Sequence, residues 1–173
     1  MTTVSHKRLV KEYKDVLNSK ELLENRISIG LVDESDFTKW KATIIGADDT
    51  PYKGGIFNLE VTITPQYPFK PPIVKFITRV YHPNINSNGD ICLDILKHNW
   101  SPALTLDKVL LSIQMLLSNP NADDPLDASS AGVYKADKAK FDKTVREYVI
   151  KYANDDSNTS TKKEKKDKNN FDV

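Results

Sequence analysis

The chain begins with apolar residues at helical spacing and then changes to the shorter spacing of strands. The first apolar stripe recurs every three or four residues and consists of Leu9, Tyr13, Val16 and Leu17. This period places the stripe on one face of a helix from about residue 5 to residue 19, with a basic face opposite. A first amphipathic helix is therefore predicted at this end of the chain.

Four short runs follow, in which residues are β-branched or alternate between apolar and polar. The runs cover residues 27–31, 40–45, 56–63 and 73–77, and turns rich in Gly, Pro and Asp separate them. Short runs bounded by such turns are typical of strands joined as hairpins. The pattern predicts a four-stranded antiparallel meander.

Three helical patterns follow a long loop. The first can use Thr105 as its N-cap, is apolar enough to lie across a sheet, and ends at Asn119-Pro120. Two more are predicted at about residues 127–135 and 137–152. The order predicts an α+β domain over residues 1–153: an N-terminal helix, a four-stranded antiparallel meander sheet, a loop, a central crossover helix and two C-terminal helices.

The composition changes after this domain. Residues 154–173 consist almost entirely of Asn, Asp, Ser, Thr, Lys and Glu, with nearly nothing to bury. A segment of this kind cannot offset the entropy lost on ordering, so a disordered, solvated polar tail is predicted. Its lysines are balanced by acidic residues, which favours a polyampholyte over a basic arm.

Charge and hydropathy exclude several functions. The 173 residues carry 25 Lys plus Arg and 24 Asp plus Glu, a formal charge of +1, so no global field favours nucleic acid or an anionic membrane. We find no long apolar run and no basic-then-apolar start, so neither a membrane span nor a signal peptide is expected. One unpaired cysteine suits a reducing compartment, which predicts the cytoplasm, the nucleus or both.

That single cysteine, Cys92, is the main candidate for chemistry. Its flanking residues Ile91 and Leu93 would suit a buried apolar filler. However, the preceding run 84–90 is turn-prone and contains Asn88-Gly89, which places the thiol just after a loop, where it can face solvent. The position therefore favours a reactive sulfur.

Other cysteine chemistries have less support. The chain has only three histidines and no Cys-x-x-Cys spacing, so no metal site is predicted. The basic side chains close to Cys92 in sequence are Lys97 and His98, and nothing marks the Cys-His pair of a hydrolase.

Three motifs around the cysteine resemble the active-site segment of the ubiquitin-conjugating enzymes. They are His82-Pro83-Asn84, Cys92-Leu93-Asp94 and Trp100-Ser101-Pro102-Ala103. Further motifs occur in family order: Pro51-Tyr52 with Gly54-Gly55, Tyr67-Pro68-Phe69-Lys70-Pro71-Pro72, and Asp123-Asp124-Pro125-Leu126. The resemblance covers about residues 5–153 and makes the loop around Cys92 the expected active-site loop.

The resemblance implies a carrier that accepts ubiquitin from the activating enzyme as a thioester on Cys92 and transfers it to a lysine amine, usually with a ligase of the RING or HECT type. ATP is used upstream by the activating enzyme, so the chain itself needs no cofactor. Catalytically silent variants that act as binding scaffolds lack the cysteine, which is present here. The conjugating enzyme for SUMO has extra residues between the cysteine and the tryptophan, and their absence between Cys92 and Trp100 favours ubiquitin, the alternative being its closest ubiquitin-like relative.

The resemblance also implies roles around the thioester. Asn84 is expected to donate to the oxyanion or to order the loop for the same step, the alternative being an incidental turn residue. Asp124 is expected to orient and deprotonate the incoming lysine, or else to be a solvated acid. His82 is expected to bond backbone through its ring nitrogens, with Asn121 and Asp94 as loop supports.

Docking surfaces follow from the same resemblance. Prolines on both sides of Phe69 stiffen its loop, so its ring is expected to be presented to a ligase, the alternative being a core position. Trp100 is expected to pack beside the active-site loop. The ligase patch would be completed by Ser101, Pro102 and Ala103, and the face expected to meet the activating enzyme consists of Lys7, Arg8 and Lys11.

Overall fold

The computed structural model describes residues 3–154. The helices are α1 Val4–Leu17, α2 Lys20–Glu24, α3 Leu106–Ser118, α4 Ala128–Ala136 and α5 Lys138–Tyr152. The strands are β1 Ile27–Asp33, β2 Asp36–Ile45, β3 Ile56–Thr62 and β4 Ile73–Phe76, and a 3₁₀ turn spans Asp94–Leu96. The predicted α+β class and order of elements are confirmed.

The sheet is the predicted antiparallel meander, with strand order β1-β2-β3-β4. Ala42 on β2 pairs with Leu59 on β3, and Val61 on β3 pairs with Val74 on β4. All four of these side chains are buried, whereas Glu60 between two of them is exposed. The alternation of a strand therefore directs one face of the sheet to the core and the other to solvent.

The core joins this face to the central helix. Six of the eight apolar residues of α3 are buried, and they belong to one hydrophobic cluster with the buried residues of all four strands, whereas Leu111 is partly buried and Met115 is exposed. Ile113 is fully buried, and burying such a side chain typically stabilises a fold by about 1.5–3 kcal/mol. The active-site loop leads from this sheet to α3, so both ends of the loop are anchored in the core.

The first helix is shorter than the sequence pattern predicts. It ends at Leu17, and a second short helix begins after Ser19, whose side-chain oxygen accepts a hydrogen bond from Leu22 N at 3.2 Å. Ser and Asn favour helix ends because their side chains bond nearby backbone, and Asn18 follows the last residue of α1. Within the apolar stripe, Leu9 and Val16 are buried, whereas Leu17 at the end of the helix is 62% exposed.

The N-cap of α3 also differs from expectation. Thr105 occupies the N-cap position, but its hydroxyl donates to the Asp107 carboxylate and does not accept from the helix backbone. Glu12 on α1 accepts instead, from Leu106 N at 2.7 Å. A residue 94 positions away in sequence thus caps this helix, which no local pattern could indicate.

The end of α5 is attached to the sheet. Ala153 is fully buried, and its carbonyl oxygen accepts from Ile56 N at 2.8 Å. This contact joins residue 153 to the first residue of β3. The disordered tail is predicted over residues 154–173, and all of it except Asn154 lies outside the described residues, so the disorder stays a prediction.

Candidate active site

Cys92 lies at the end of a loop that folds back on itself. Ile85 and Ile91 form an antiparallel bridge, and Cys92 N donates to Asn84 O at 2.8 Å. The bridge buries both isoleucines, while Cys92 stays partly exposed. The thiol is therefore held at the surface by a rigid turn and is not a core filler.

Two charged side chains flank the sulfur. Lys97 Nζ lies 3.3 Å from Cys92 Sγ, and Asp124 Oδ2 lies 3.8 Å from it. Lys97 directly follows the 3₁₀ turn and lies five residues after Cys92. The sequence showed that Lys97 is near Cys92 along the chain, but it gave no reason to assign the amine to this contact.

His82 supports the loop from inside. Its ring is fully buried, with Nδ1 accepting from Asn84 N at 2.9 Å and Nε2 lying 2.8 Å from Leu116 O. Because Nδ1 accepts, the proton is on Nε2, which donates to the Leu116 carbonyl. Burial lowers the pKa of His82 to about 4, so the ring is neutral at physiological pH. These are the backbone contacts expected for it, and its role in the loop stays a prediction.

Asn84 is 1% exposed and clamps a second loop to the cysteine loop. Its Oδ1 accepts from Asn121 N at 2.8 Å, and its Nδ2 donates to Asn121 O at 2.9 Å and to Asp124 O at 3.1 Å. Both amide hydrogens are thus already engaged with backbone carbonyls. Of the two roles expected for Asn84 in the reaction, this geometry favours loop ordering over oxyanion donation.

Backbone contacts complete the clamp between the two loops. Leu126 N and Asp127 N both donate to Pro83 O, at 2.9 and 3.0 Å. Together with the Asn84 contacts, they place the exposed Asp124 carboxylate next to the sulfur. Asn121 contributes mainly its backbone, since its side chain accepts a longer bond of 3.3 Å from Asp123 N.

Asp94 orders the segment that carries Lys97. Its carboxylate accepts from Asn99 Nδ2 at 3.0 Å and from Ile95 N at 2.8 Å. The hydrogen bond from Asn99 is the main reason that the pKa of Asp94 is lowered. Both contacts are local to this segment, and the loop-supporting role of Asp94 stays a prediction.

The two segments expected to bind a ligase lie side by side. Trp100 Nε1 donates to Pro68 O at 2.8 Å, which joins the Phe69 loop to the segment that follows the active site. Phe69 is 73% exposed and is not a core residue. Ser101, Pro102 and Ala103 are exposed as well.

The face of α1 is less uniform than expected. Lys7 and Lys11 are exposed, but the Arg8 side chain is only 23% exposed, and all three of its guanidinium nitrogens donate within the protein. Arg8 is therefore less accessible than Lys7 and Lys11 for the expected contact with the activating enzyme. The i,i+4 spacing of Arg8 and Glu12 is the local signal in the sequence for one of these contacts.

Residues 3–154 contain no group of three or more His, Cys, Asp or Glu residues that could hold a metal ion. Within the same residues no helix is long and apolar enough to cross a membrane.

An α+β domain that presents one accessible cysteine from a braced loop has the make-up of a cysteine-nucleophile enzyme. Residues 8–149 match the family model described as ubiquitin-conjugating enzyme. Among solved structures, the E2 domain of a Toxoplasma gondii ubiquitin conjugating enzyme is 42% identical with a TM-score of 0.76, and the match covers 86% of this chain and 98% of that chain. The chain belongs to the ubiquitin-conjugating enzyme family, and it is accordingly a transferase whose general partners are ubiquitin, an activating enzyme and ligases.

Proposed function

We propose that this protein accepts ubiquitin from the activating enzyme as a thioester on Cys92 and transfers it to a lysine amine of a protein substrate. The observation that carries the proposal is the setting of Cys92. It is the only thiol of the chain, it is partly exposed, and its neighbours on either side are an amine and a carboxylate.

The first half-reaction exchanges one thioester for another. The Cys92 thiolate attacks the thioester carbonyl on the activating enzyme, the new C–S bond forms, and the activating-enzyme thiolate leaves. Because the same type of bond is broken and made, the step is nearly balanced and needs no strong base beside the sulfur. The partly exposed position of Cys92 supports access by so large a partner.

The second half-reaction is aminolysis. A lysine nitrogen attacks the thioester carbonyl, an isopeptide bond forms, and the Cys92 thiolate leaves while the amine loses a proton. Asp124 is the proposed group that orients this amine and accepts its proton, because its carboxylate is 3.8 Å from Sγ and exposed. Asn84 is proposed to act through the 121–124 loop that it clamps.

The remaining proposals concern partners and setting. Ubiquitin is the proposed modifier, because the segment from Cys92 to Trp100 has no insertion, and ATP is proposed to be used only by the activating enzyme. The proposed ligase surface is Phe69 with Ser101, Pro102 and Ala103, for a RING or HECT ligase. The proposed contacts to the activating enzyme are Lys7 and Lys11, and the single unpaired cysteine supports a cytoplasmic or nuclear setting.

The test is a non-reducing gel after incubation with activating enzyme, ATP and ubiquitin. One added ubiquitin that thiol reductant removes is expected for the native protein. Cys92→Ser should give a reductant-resistant oxyester or no adduct, and Cys92→Ala should give none. A reductant-sensitive adduct on Cys92→Ala would overturn the proposal.

Lys97 requires a control in any discharge assay. Its amine is 3.3 Å from Sγ, so it is within reach of an acyl group carried there. Lys97→Arg keeps the positive charge and removes the nucleophilic amine. Running this variant in parallel separates transfer to added lysine from transfer within the protein.

A further inference from the structure

One guanidinium on α1 holds the loop that follows Trp100. Arg8 Nη1 donates to Pro102 O and Nη2 donates to Leu104 O, both at 2.7 Å, and Nε donates to Glu12 Oε2 at 3.2 Å. A planar guanidinium presents these donors in a fixed fork, whereas the ammonium of lysine is a single point. No other side chain of like charge could make all three contacts from this position.

Glu12 connects the same network to the Phe69 loop. It is 2% exposed, and besides Arg8 its carboxylate accepts from Leu106 N at 2.7 Å and from the Tyr67 hydroxyl. Burial raises the pKa of Tyr67, and the hydrogen bond to Glu12 adds to the rise, so the phenol stays protonated and donates. Tyr67 lies two residues before Phe69, so the buried side of that loop is fixed to α1.

The outer side of both loops is exposed. Phe69 and Ser101–Ala103 face solvent, while the carbonyl oxygens beneath them are hydrogen bonded to Arg8 and Trp100. The loop between Trp100 and Thr105 has only short-range bonds of its own, from Leu104 N to Ser101 O and from Ala103 N to Ser101 Oγ. Its conformation therefore depends on Arg8.

We propose that Arg8 is a positioning residue for the docking surface of Phe69 and Ser101–Ala103, holding the 101–104 backbone in the conformation that a ligase binds. The proposal rests on the proposed function, because it takes that surface to be the ligase site. A loop that is already ordered does not lose entropy on binding, and this loss is a main cost of association. Arg8 thus acts through the loop, unlike the exposed Lys7 and Lys11 on the same helix.

The first arm of the test needs no partner. Amide hydrogen exchange is measured on the native protein, Arg8→Lys and Lys7→Arg. Arg8→Lys keeps a cation beside Glu12 but cannot hold both carbonyls, so exchange at Leu104 N should accelerate about tenfold or more, with β2 and β3 unchanged. Lys7→Arg should match the native protein. Equal exchange in all three proteins would overturn the proposal.

The second arm uses a RING domain that accelerates discharge of the native thioester to free lysine. In Arg8→Lys the RING concentration for half-maximal acceleration should rise about tenfold, with the maximal rate and the loading rate close to native. The half-maximal RING concentration should rise in Glu12→Gln as well, although the buried side chain of residue 12 cannot touch the RING domain. Lys7→Ala should slow loading and leave the half-maximal concentration unchanged.

The outcomes separate this proposal from the proposed function. If the native protein forms no thioester, the proposed function fails, while the exchange arm still decides whether Arg8 holds the loop. If thioester forms but the half-maximal concentration is unchanged in Arg8→Lys, the positioning role is wrong. If a RING domain does not accelerate discharge of the native thioester, the proposal that Phe69 and Ser101–Ala103 bind a ligase is wrong. If Arg8→Lys and Lys7→Ala show equal loading defects, Arg8 contacts the activating enzyme through its charge and is not a positioning residue.

Discussion

Replacing Asn84 by alanine should slow aminolysis far more than thioester loading. The side chain makes three hydrogen bonds to the backbone of residues 121 and 124, at 2.8, 2.9 and 3.1 Å. The bond that directly positions Cys92, by contrast, comes from the backbone carbonyl of Asn84 and survives the substitution. The loop that carries Asp124 is therefore released, while the cysteine stays in place.

The magnitude follows from those three bonds. A typical intramolecular hydrogen bond contributes about 1 kcal/mol, so Asn84→Ala should cost about 3 kcal/mol of unfolding free energy. For a domain of this size that loss lowers the melting temperature by roughly 6–12 °C. General acid-base groups contribute about 10²–10⁴ in rate, so misplacing Asp124 should slow discharge to free lysine by about two orders of magnitude.

The assay is single-turnover discharge of preformed thioester, with loading by the activating enzyme measured separately. Asn86→Ala is the matched control, because Asn86 lies in the same turn but bonds to Asp90 and Asn88. It should leave the discharge rate close to native. Melting curves of both variants show whether the clamp contributes the expected stability.

A double-variant cycle with Asp124→Ala identifies the route. If Asn84 acts through Asp124, adding Asn84→Ala to Asp124→Ala should slow discharge little further, because the effects of coupled residues do not add. If Asn84 is an independent oxyanion donor, its loss should multiply the defect by about 10²–10³. Full multiplication, or a loading rate that falls as steeply as discharge, would refute the loop-clamp reasoning.

Three further predictions test other parts of the molecule. Phe69→Ala should leave melting and loading unchanged but weaken binding to a ligase by about 2 kcal/mol, as is common for a docked aromatic, and a melting temperature lower by several degrees would contradict its exposed position. Burial holds the pKa of His82 at about 4 in the folded protein, below its usual 6.5. Between these two values the unfolded chain binds a proton at His82 and the folded protein does not, so the stability present above pH 6.5 is lost as the pH falls toward 4. Because of His82, the free energy of unfolding in urea should be about 2 kcal/mol larger at pH 7 than at pH 5, and this difference should be smaller in His82→Gln. A chain that ends at Asn154 should melt and load like the full chain, and a marked loss of either would show that the tail docks.

Several elements were predictable because their signals are local. The alternation in β3 depends on neighbours two residues apart, and the apolar period of α3 on neighbours three and four apart, so both are visible along the chain. Asp127 and Asp137 accept from the first amides of α4 and α5, again within three residues. The break between α1 and α2 was missed because Leu17 fits the helical period although it lies at the surface.

The active site likewise has features that the local sequence indicates and features that it does not. The turn 84–90 and the motifs around it indicated Cys92 as the reactive residue, and the family resemblance was confirmed by residues 8–149. No local pattern shows the contacts of Lys97 and Asp124 with the sulfur. The contact of Lys97 depends on the orientation of a flexible side chain, and that of Asp124, which joins residues 32 positions apart, was indicated only by the family resemblance.

The sequence by itself determined the α+β class, the order of its main elements, the family and the identity of the candidate nucleophile, because each depends on spacing or motif. Only the tertiary structure decided that the Asn84 side-chain amide donates both hydrogens to backbone carbonyls, and that Arg8 and Glu12 hold the Phe69 loop and the 101–104 loop by hydrogen bonds on their buried side. The physical reason is that a buried polar group needs a partner, and its partner is whichever donor or acceptor the packing of distant segments brings within about 3 Å.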